Sequence, residues 1–403
     1  MNEFVERSIA LRWAEPKDSY DVVIIGGGGH GLSTAYWLAR EHGITDVAVI
    51  ERGYVGSGNS GRNTTVIRAN YGIPEAIRFY QRSLELYQRI EEDSGRWIMH
   101  QEKGLIWTAH SEGTVRGEKK RALMNTAAGA ETVFIGADEV KRLVPQIDLS
   151  LGGSGYPVLG ASYHLRGATA RHDRVVWLLA EGAMDLGVHV LPRTTVTGIS
   201  TAGDRVTGVQ TDRGHLATGT VVSAVGGHVT RIADMVGLRM PIRSHPLQAY
   251  VTNHYGQGFP MIVGSVDFPF YVSQTPRGEM LMGAEYERAP SYSQASTFEF
   301  LQSCSGKAVT MFPFMRDLRI LRQWAGVCDI SPDASPIIGR TPVDGFHVTT
   351  GWGTWGFKAI PVGGEQLAKL IATGTTPELI APFSYDRFAN DRIMADAGSA
   401  GTH

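Results

Sequence analysis

The sequence predicts an α/β unit of the Rossmann-like nucleotide-binding type, with an α+β antiparallel-sheet unit interleaved along the same chain. Three observations carry this reading. A short apolar run near the start leads into a glycine-rich turn and a helical pattern. Pieces of strand, glycine turn and helix recur near the middle and the end. Between them lie segments of alternating apolar and polar residues.

The first piece is "DVVIIGGGGHGLSTAYWLAREHGITDVAVIER". Residues 21–25 read as a buried parallel strand. Gly26, Gly28 and Gly31 then form G-x-G-x-x-G, residues 32–41 read as a helix, and 47–50 as a second strand ending at Glu51. Gly26 permits a tight turn, Gly28 lets the backbone approach a pyrophosphate, and Gly31 lets helix and strand pack closely. The helix start offers free N–H groups and partial positive charge to phosphates. Glu51, about twenty residues after Gly31, suits a ribose hydroxyl. The motif fits FAD or NAD equally. The next segment, "GYVGSGNSGRNTTVIRANYG", reads as a loop around a large ligand.

Residues 74–96 show helical spacing, opened by Pro74 and ended by Ser94-Gly95. "GLIWTAH" reads as a strand and "GADEVKRLVPQI" as a short helix closed by Pro145. A helix is expected over 174–187, then a β-meander up to "VVSAVGG". Gly226 and Gly227 there either line a second side of the dinucleotide or form a plain strand-to-helix turn. Residues 241–325 alternate as in a sheet with one buried face, with "STFEFLQSCSGKAVTMFP" as a helix. The last stretch supplies a turn, a strand, a glycine-rich loop and a closing helix. This divides the chain into a nucleotide unit, 1–85, 155–228 and 326–403, and a substrate or interaction unit, 86–154 and 229–325.

A formal charge of −2 argues against nucleic acid or an anionic membrane as the main partner. Two cysteines cannot make a disulfide framework, and neither a secretory signal nor a membrane-spanning run is evident, so a cytoplasmic location is expected. The histidines lack metal-ligand spacing, so no metal site is expected.

Together, "VVIIGGGGHGLSTAYWLA", "VVSAVGG", "SPDASPIIG" and "GWGTWGFKAIPVGGEQLAKLI" resemble the FAD-dependent D-amino-acid oxidase/sarcosine oxidase superfamily over almost the whole chain. "GSGNSGRNTTVIRANYG" and "ATARHDRVVW" are most similar to the β subunits of heterotetrameric sarcosine oxidases. The resemblance implies non-covalent FAD held by Gly26, Gly28, Gly29, Gly31, Glu51, Arg52, Ser60, Asn63, Thr64, Val196, Gly353, Gly356 and Lys358. It implies sarcosine as substrate, with Arg68 and Lys358 holding its carboxylate. Taken without the resemblance, Arg68 reads rather as a surface ion-pair partner and Lys358 as a solvated helix-start residue. Related monomeric enzymes carry a further arginine three positions before Arg68, where this chain has Thr65. Oxidation of the neutral amine by FAD would give glycine and a one-carbon unit, captured by water or tetrahydrofolate. Tyr71, Tyr250 and Tyr271 are either cavity wall or packing.

Two residues are candidate flavin tethers. In the resembling β subunits a histidine at the position of His172 carries covalent FMN, which takes electrons from FAD and passes them to oxygen. Read locally, His172 is a surface residue, and Arg171 and Arg174 are either FMN-phosphate ligands or solvated. Cys328 is either a tether of the monomeric type or a buried free thiol. The resemblance implies other subunits as partners. The other readings are a stand-alone FAD oxidase or dehydrogenase for another N-methyl amine or imino acid, and a non-catalytic electron-transfer or scaffold subunit.

Overall fold

The computed structural model of the chain describes residues 9–394. Its first sheet has six strands in the order Ile337–Arg340, Phe346–Thr350, Val221–Ser223, Val22–Ile25, Val47–Ile50 and His189–Leu191. All neighbours are parallel except the first pair. Val22–Ile25 and Val47–Ile50 are buried at every position because both faces are covered. Val22, Ile24, Val47 and Val49 pack against the helices Gly29–His42, His172–Asp185 and Gly356–Thr373. Val23, Ile25, Ala48 and Ile50 pack against Ile199, Val206, Val209 and Leu216 of the three-stranded meander.

The second sheet has eight strands: Ile320–Ile330, Arg243–His254, Glu279–Tyr286, Phe270–Gln274, Ile262–Ser265, Leu105–Ala109, Gly160–His164 and Thr132–Gly136. One face carries a core with Met280, Met282 and Phe300 under the helix Phe298–Met311. The other, with Leu105, Trp107, Ile262 and Tyr271, turns toward the nucleotide-type unit. The strand Gly160–His164 lies in this sheet although it falls within the 155–228 segment.

Three elements differ from the sequence reading. The helix at "ARHDRVVW" begins at His172, two residues earlier than the apolar spacing suggests, because Asp173 occupies its acidic first turn. Ile337–Arg340 and Phe346–Thr350 form an antiparallel hairpin where one strand was expected. The helix Glu112–Ala127 carries no apolar stripe and buries only Glu118, Ala122 and Asn125. What marks its start is a capping box between Ser111 and Thr114.

Candidate active site

The two units face each other across a cavity of about 710 Å³. At one end Gly26 takes φ +113°, and a Cβ there would sit 2.4 Å from the Ala224 carbonyl oxygen. A Cβ on Gly31 would sit 2.0 Å from the Gly26 carbonyl oxygen, so a side chain at either position breaks the turn. Gly28 caps the Gly29–His42 helix with no side-chain bond, leaving the helix start to backbone donors, and Gly29 N–H donates to Ser60 Oγ at 2.9 Å. The Glu51 carboxylate accepts from Gly27 N–H at 3.0 Å and Gly53 N–H at 2.8 Å, across both flanks of the turn.

Gly26, Gly28, Gly29, Glu51, Arg52, Ser60, Asn63, Thr64 and Val196 all line this cavity, as do Arg68, Gly353, Gly356 and Lys358. Gly31 lies behind it as packing. Gly226 and Gly227 also line it, and Gly227 packs closely against Val327. Asn59 is a residue that sequence reasoning missed. Its amide pairs with both backbone groups of Val327, at 2.5 and 2.8 Å, and pins the 53–65 loop to the strand Ile320–Ile330. Thr65 holds φ +61°, costly for a β-branched residue, with its N–H bonded to Asn63 Oδ1 at 2.8 Å.

Arg68 and Lys358, also on the cavity wall, are 5% and 6% exposed. Arg68 Nη1 donates to the Asn70 carbonyl at 2.6 Å and to Asn70 Oδ1 at 3.1 Å, and its guanidinium lies 4.3 Å from the Tyr71 ring. Lys358 Nζ donates to the Thr354 carbonyl at 2.9 Å. Burial, and then the Arg68 charge, hold the Lys358 ammonium well below the usual lysine range. Among the described residues the hydrogen-bond partners of both cations are thus carbonyl oxygens, not carboxylates. A buried lysine whose ammonium is disfavoured first by burial and then by a neighbouring guanidinium leaves an electrostatic deficit that an anion in the cavity relieves.

Of the three tyrosines, Tyr271 lines the cavity and its hydroxyl meets Thr64 Oγ1 at 2.9 Å. Tyr71 is packing beneath Arg68 and beside Trp355, and Tyr250 belongs to the core on the far face of the sheet. Cys328 is a buried free thiol lining the cavity, and burial followed by the Asp329 charge pushes its pKa up, away from a nucleophilic thiolate. His172 does not line the cavity. Its helix sits behind the cavity loop, with Val176 Cγ1 3.2 Å from where a Gly56 Cβ would be. Burial first, against the opposing pull of Asp173, lowers the His172 pKa and favours a neutral imidazole. Arg171 is occupied by Asp173 at 2.8 Å. Among the described residues no cluster of His, Cys, Asp and Glu could hold a metal ion, and no helix is long and apolar enough to cross a membrane.

Asp329, also missed, is buried on the cavity wall. Its carboxyl accepts from Thr350 Oγ1 at 3.0 Å and Trp352 N–H at 3.2 Å, fastening the "TGWG" turn. Burial raises its pKa from 3.8 to about 6. The folded state therefore binds the extra proton between those values, and stability falls as pH rises through them. Asp329→Asn removes that titration. Its thermal midpoint relative to the parent should move in the variant's favour between pH 4 and 6, a differential of roughly 3 kcal/mol, and stay level above. A pH-independent difference between the two melting curves would exclude a buried titrating carboxyl.

The glycine cradle, the bare helix start and Glu51 fit a dinucleotide, and the cavity is large for a small substrate alone. Residues 21–370 match the DAO family, FAD dependent oxidoreductase. The chain is 41% identical to the sarcosine oxidase subunit beta of Rhodobacter capsulatus, over 96% of this chain and 94% of that one. It is 40% identical to the subunit of the same name from an Arthrobacter species, over 96% of each. The crystal structure of L-proline dehydrogenase from P. horikoshii superposes with a TM-score of 0.88 at 29% identity, covering 94% of this chain and all of that one. The chain belongs to the FAD dependent oxidoreductase family, and within it stands with the sarcosine oxidase beta subunits.

Proposed function

We propose that this chain is the oxidising subunit of a hetero-oligomeric sarcosine oxidase, taking sarcosine to glycine and a one-carbon unit. The observation that carries the reading is the convergence on one cavity of Arg68 and Lys358, both buried and, among the described residues, without a carboxylate partner. FAD, held by the glycine turn, Glu51 and the 353–358 turn, supplies a two-electron acceptor. Arg68 and Lys358 take the substrate carboxylate as charge-assisted hydrogen bonds and so fix the direction in which the amine points. The apolar wall of Leu105, Trp107 and Ile262 keeps water from the amine and favours its neutral form. Water or tetrahydrofolate then takes the one-carbon unit. The name "subunit beta" of the two relatives supports an assembly with other chains.

Anaerobic addition of sarcosine to the purified flavoprotein tests the reading directly. The flavin should bleach, and oxygen should restore its colour. A flavin left oxidised by saturating sarcosine would refute it.

Covalent FMN at His172 is the second part of the proposal, with electrons passing from FAD to FMN and on to oxygen. It is supported by the neutral, half-buried imidazole one layer behind the FAD-type loop. After denaturation, flavin fluorescence should stay with the peptide containing His172, and His172→Ala should lose it while keeping the non-covalent flavin. Label on Cys328, or none on the parent chain, would overturn the assignment.

A further inference from the structure

The helix that delivers Lys358 contains a proline, Pro361, in its second turn. A helical residue 361 would donate its N–H to the carbonyl of Phe357, four residues earlier. Proline has no such N–H, and its ring pushes that carbonyl away from the axis. The carbonyl adjoining Lys358 therefore lacks its i+4 helical donor, in a buried place where an unpaired acceptor is costly.

The helix Pro74–Ser94 supplies what is missing. Tyr80, Ser83 and Tyr87 are spaced three and four residues apart, on one buried face. Tyr87 Oη donates to the Phe357 carbonyl at 2.6 Å. Ser83 Oγ donates to the carbonyl of Lys358 itself, and Tyr80 Oη to that of Trp355 at 3.3 Å. From the other side, His30 Nε2 bonds the Gly356 carbonyl at 3.0 Å while its ring stacks on Trp352. Four consecutive carbonyls, 355–358, thus each have a side-chain partner from outside the helix. Only one of these bonds replaces a donor that the backbone cannot provide.

We propose that Tyr87, assisted by Ser83, is a positioning residue for Lys358, standing in for the backbone donor that Pro361 lacks. This rests on the reading of Lys358 as a ligand of the substrate carboxylate. The hydroxyl fixes where the first turn of the Gly356–Thr373 helix sits, and with it the root of the lysine side chain. Tyr87 acts through the backbone and touches no substrate.

The test is a double-mutant cycle on the intact FAD-loaded protein with methoxyacetate, in which an ether oxygen replaces the amine. Its dissociation constant is read from the change in flavin absorbance, without turnover. Tyr87→Phe should weaken binding ~10-fold, the scale of one lost hydrogen bond. Pro361→Ala restores an N–H facing the Phe357 carbonyl. In that background Tyr87→Phe should cost less than about twofold, because the acceptor now has its own partner. An equal loss in both backgrounds, or no loss in either, overturns the proposal. If Tyr87→Phe does not accumulate on its own, Pro361→Ala should restore its accumulation by supplying the missing N–H, and failure in both backgrounds overturns the proposal. Lys358→Ala separates the two levels. If it binds methoxyacetate as the parent does, the carboxylate reading itself is wrong. If it loses binding while the Tyr87 cycle shows no coupling, only the positioning role is.

Discussion

Replacing Arg68 or Lys358 by alanine is expected to weaken sarcosine-driven bleaching of FAD by about 30-fold to several thousandfold each, mostly through substrate affinity. The magnitude follows from the cost of removing one partner from a desolvated charge pair, roughly 2–5 kcal/mol. The two cations donate to carbonyl oxygens, and burial followed by the Arg68 charge depresses the Lys358 pKa. A carboxylate between them reverses the sign of that interaction, so its binding should raise the Lys358 pKa and draw a proton into the site. Removing one cation leaves the anion half-compensated in a buried cavity, while the glycine cradle and Glu51 are untouched. FAD content should therefore hold in Arg68→Ala, which lies outside the 353–358 turn, while the sarcosine dependence of flavin reduction collapses in both variants. Anaerobic stopped-flow reduction over a range of sarcosine concentrations separates affinity from the limiting rate. If both variants reduce at the parental rate and affinity, the clamp is wrong.

The difference between what was legible in the sequence and what was not follows the range of each interaction. Gly26, Gly28, Gly31 and Glu51 lie within one strand–turn–helix–strand unit, and local geometry dictates their residue types. Arg68 and Lys358 sit at opposite ends of the chain. Neither has a local signature, and only family resemblance pairs them. Asn59 imitates a neighbouring strand to Val327, a role invisible until the loop and strand are side by side. Tyr87 falls on the apolar face of its helix, where spacing alone marks it as packing. Pro361 was visible in "KAIPVGG", and the orphaned carbonyl it implies was the signal that could have prompted a search for a donor. The strand Gly160–His164 lacked any such cue, because its place in the second sheet depends on partners at 105–109 and 132–136.

Arg387→Ala should lower the thermal midpoint by about 4–6 °C, without touching the cavity. Arg387 and Asp333 are the most deeply buried ion pair among the described residues, 1% and 0% exposed at their side chains, and they meet at 2.8 and 2.9 Å in a two-pronged contact. Asp333 sits in the "SPDASP" turn and also accepts from Ser331 Oγ at 3.0 Å, Ser335 N–H at 3.2 Å and Met394 N–H at 3.0 Å. Arg387 uses its other donors on the Ser335 and Ser384 carbonyls, at 2.9 and 3.0 Å, so the pair ties the C-terminal segment to the turn before the edge strand Ile337–Arg340. Burial alone would raise the Asp333 pKa, but the hydrogen bonds and charge of Arg387 outweigh it and hold the carboxyl below its usual 3.8. Such a group adds stability above its unfolded pKa and loses it as pH falls through the folded one. Without the guanidinium, a carboxylate is left in a dry site, a loss of roughly 3–5 kcal/mol at neutral pH. The deficit should shrink on acidification, as the stranded carboxyl takes up a proton. Replacing both partners with apolar residues should recover much of it, since the cost lies in the unpaired charge rather than in the absence of the pair. Melting curves of the single and double variants at neutral and acid pH decide the matter. An Arg387→Ala protein that melts with the parent would show that Asp333 is not held by this arginine.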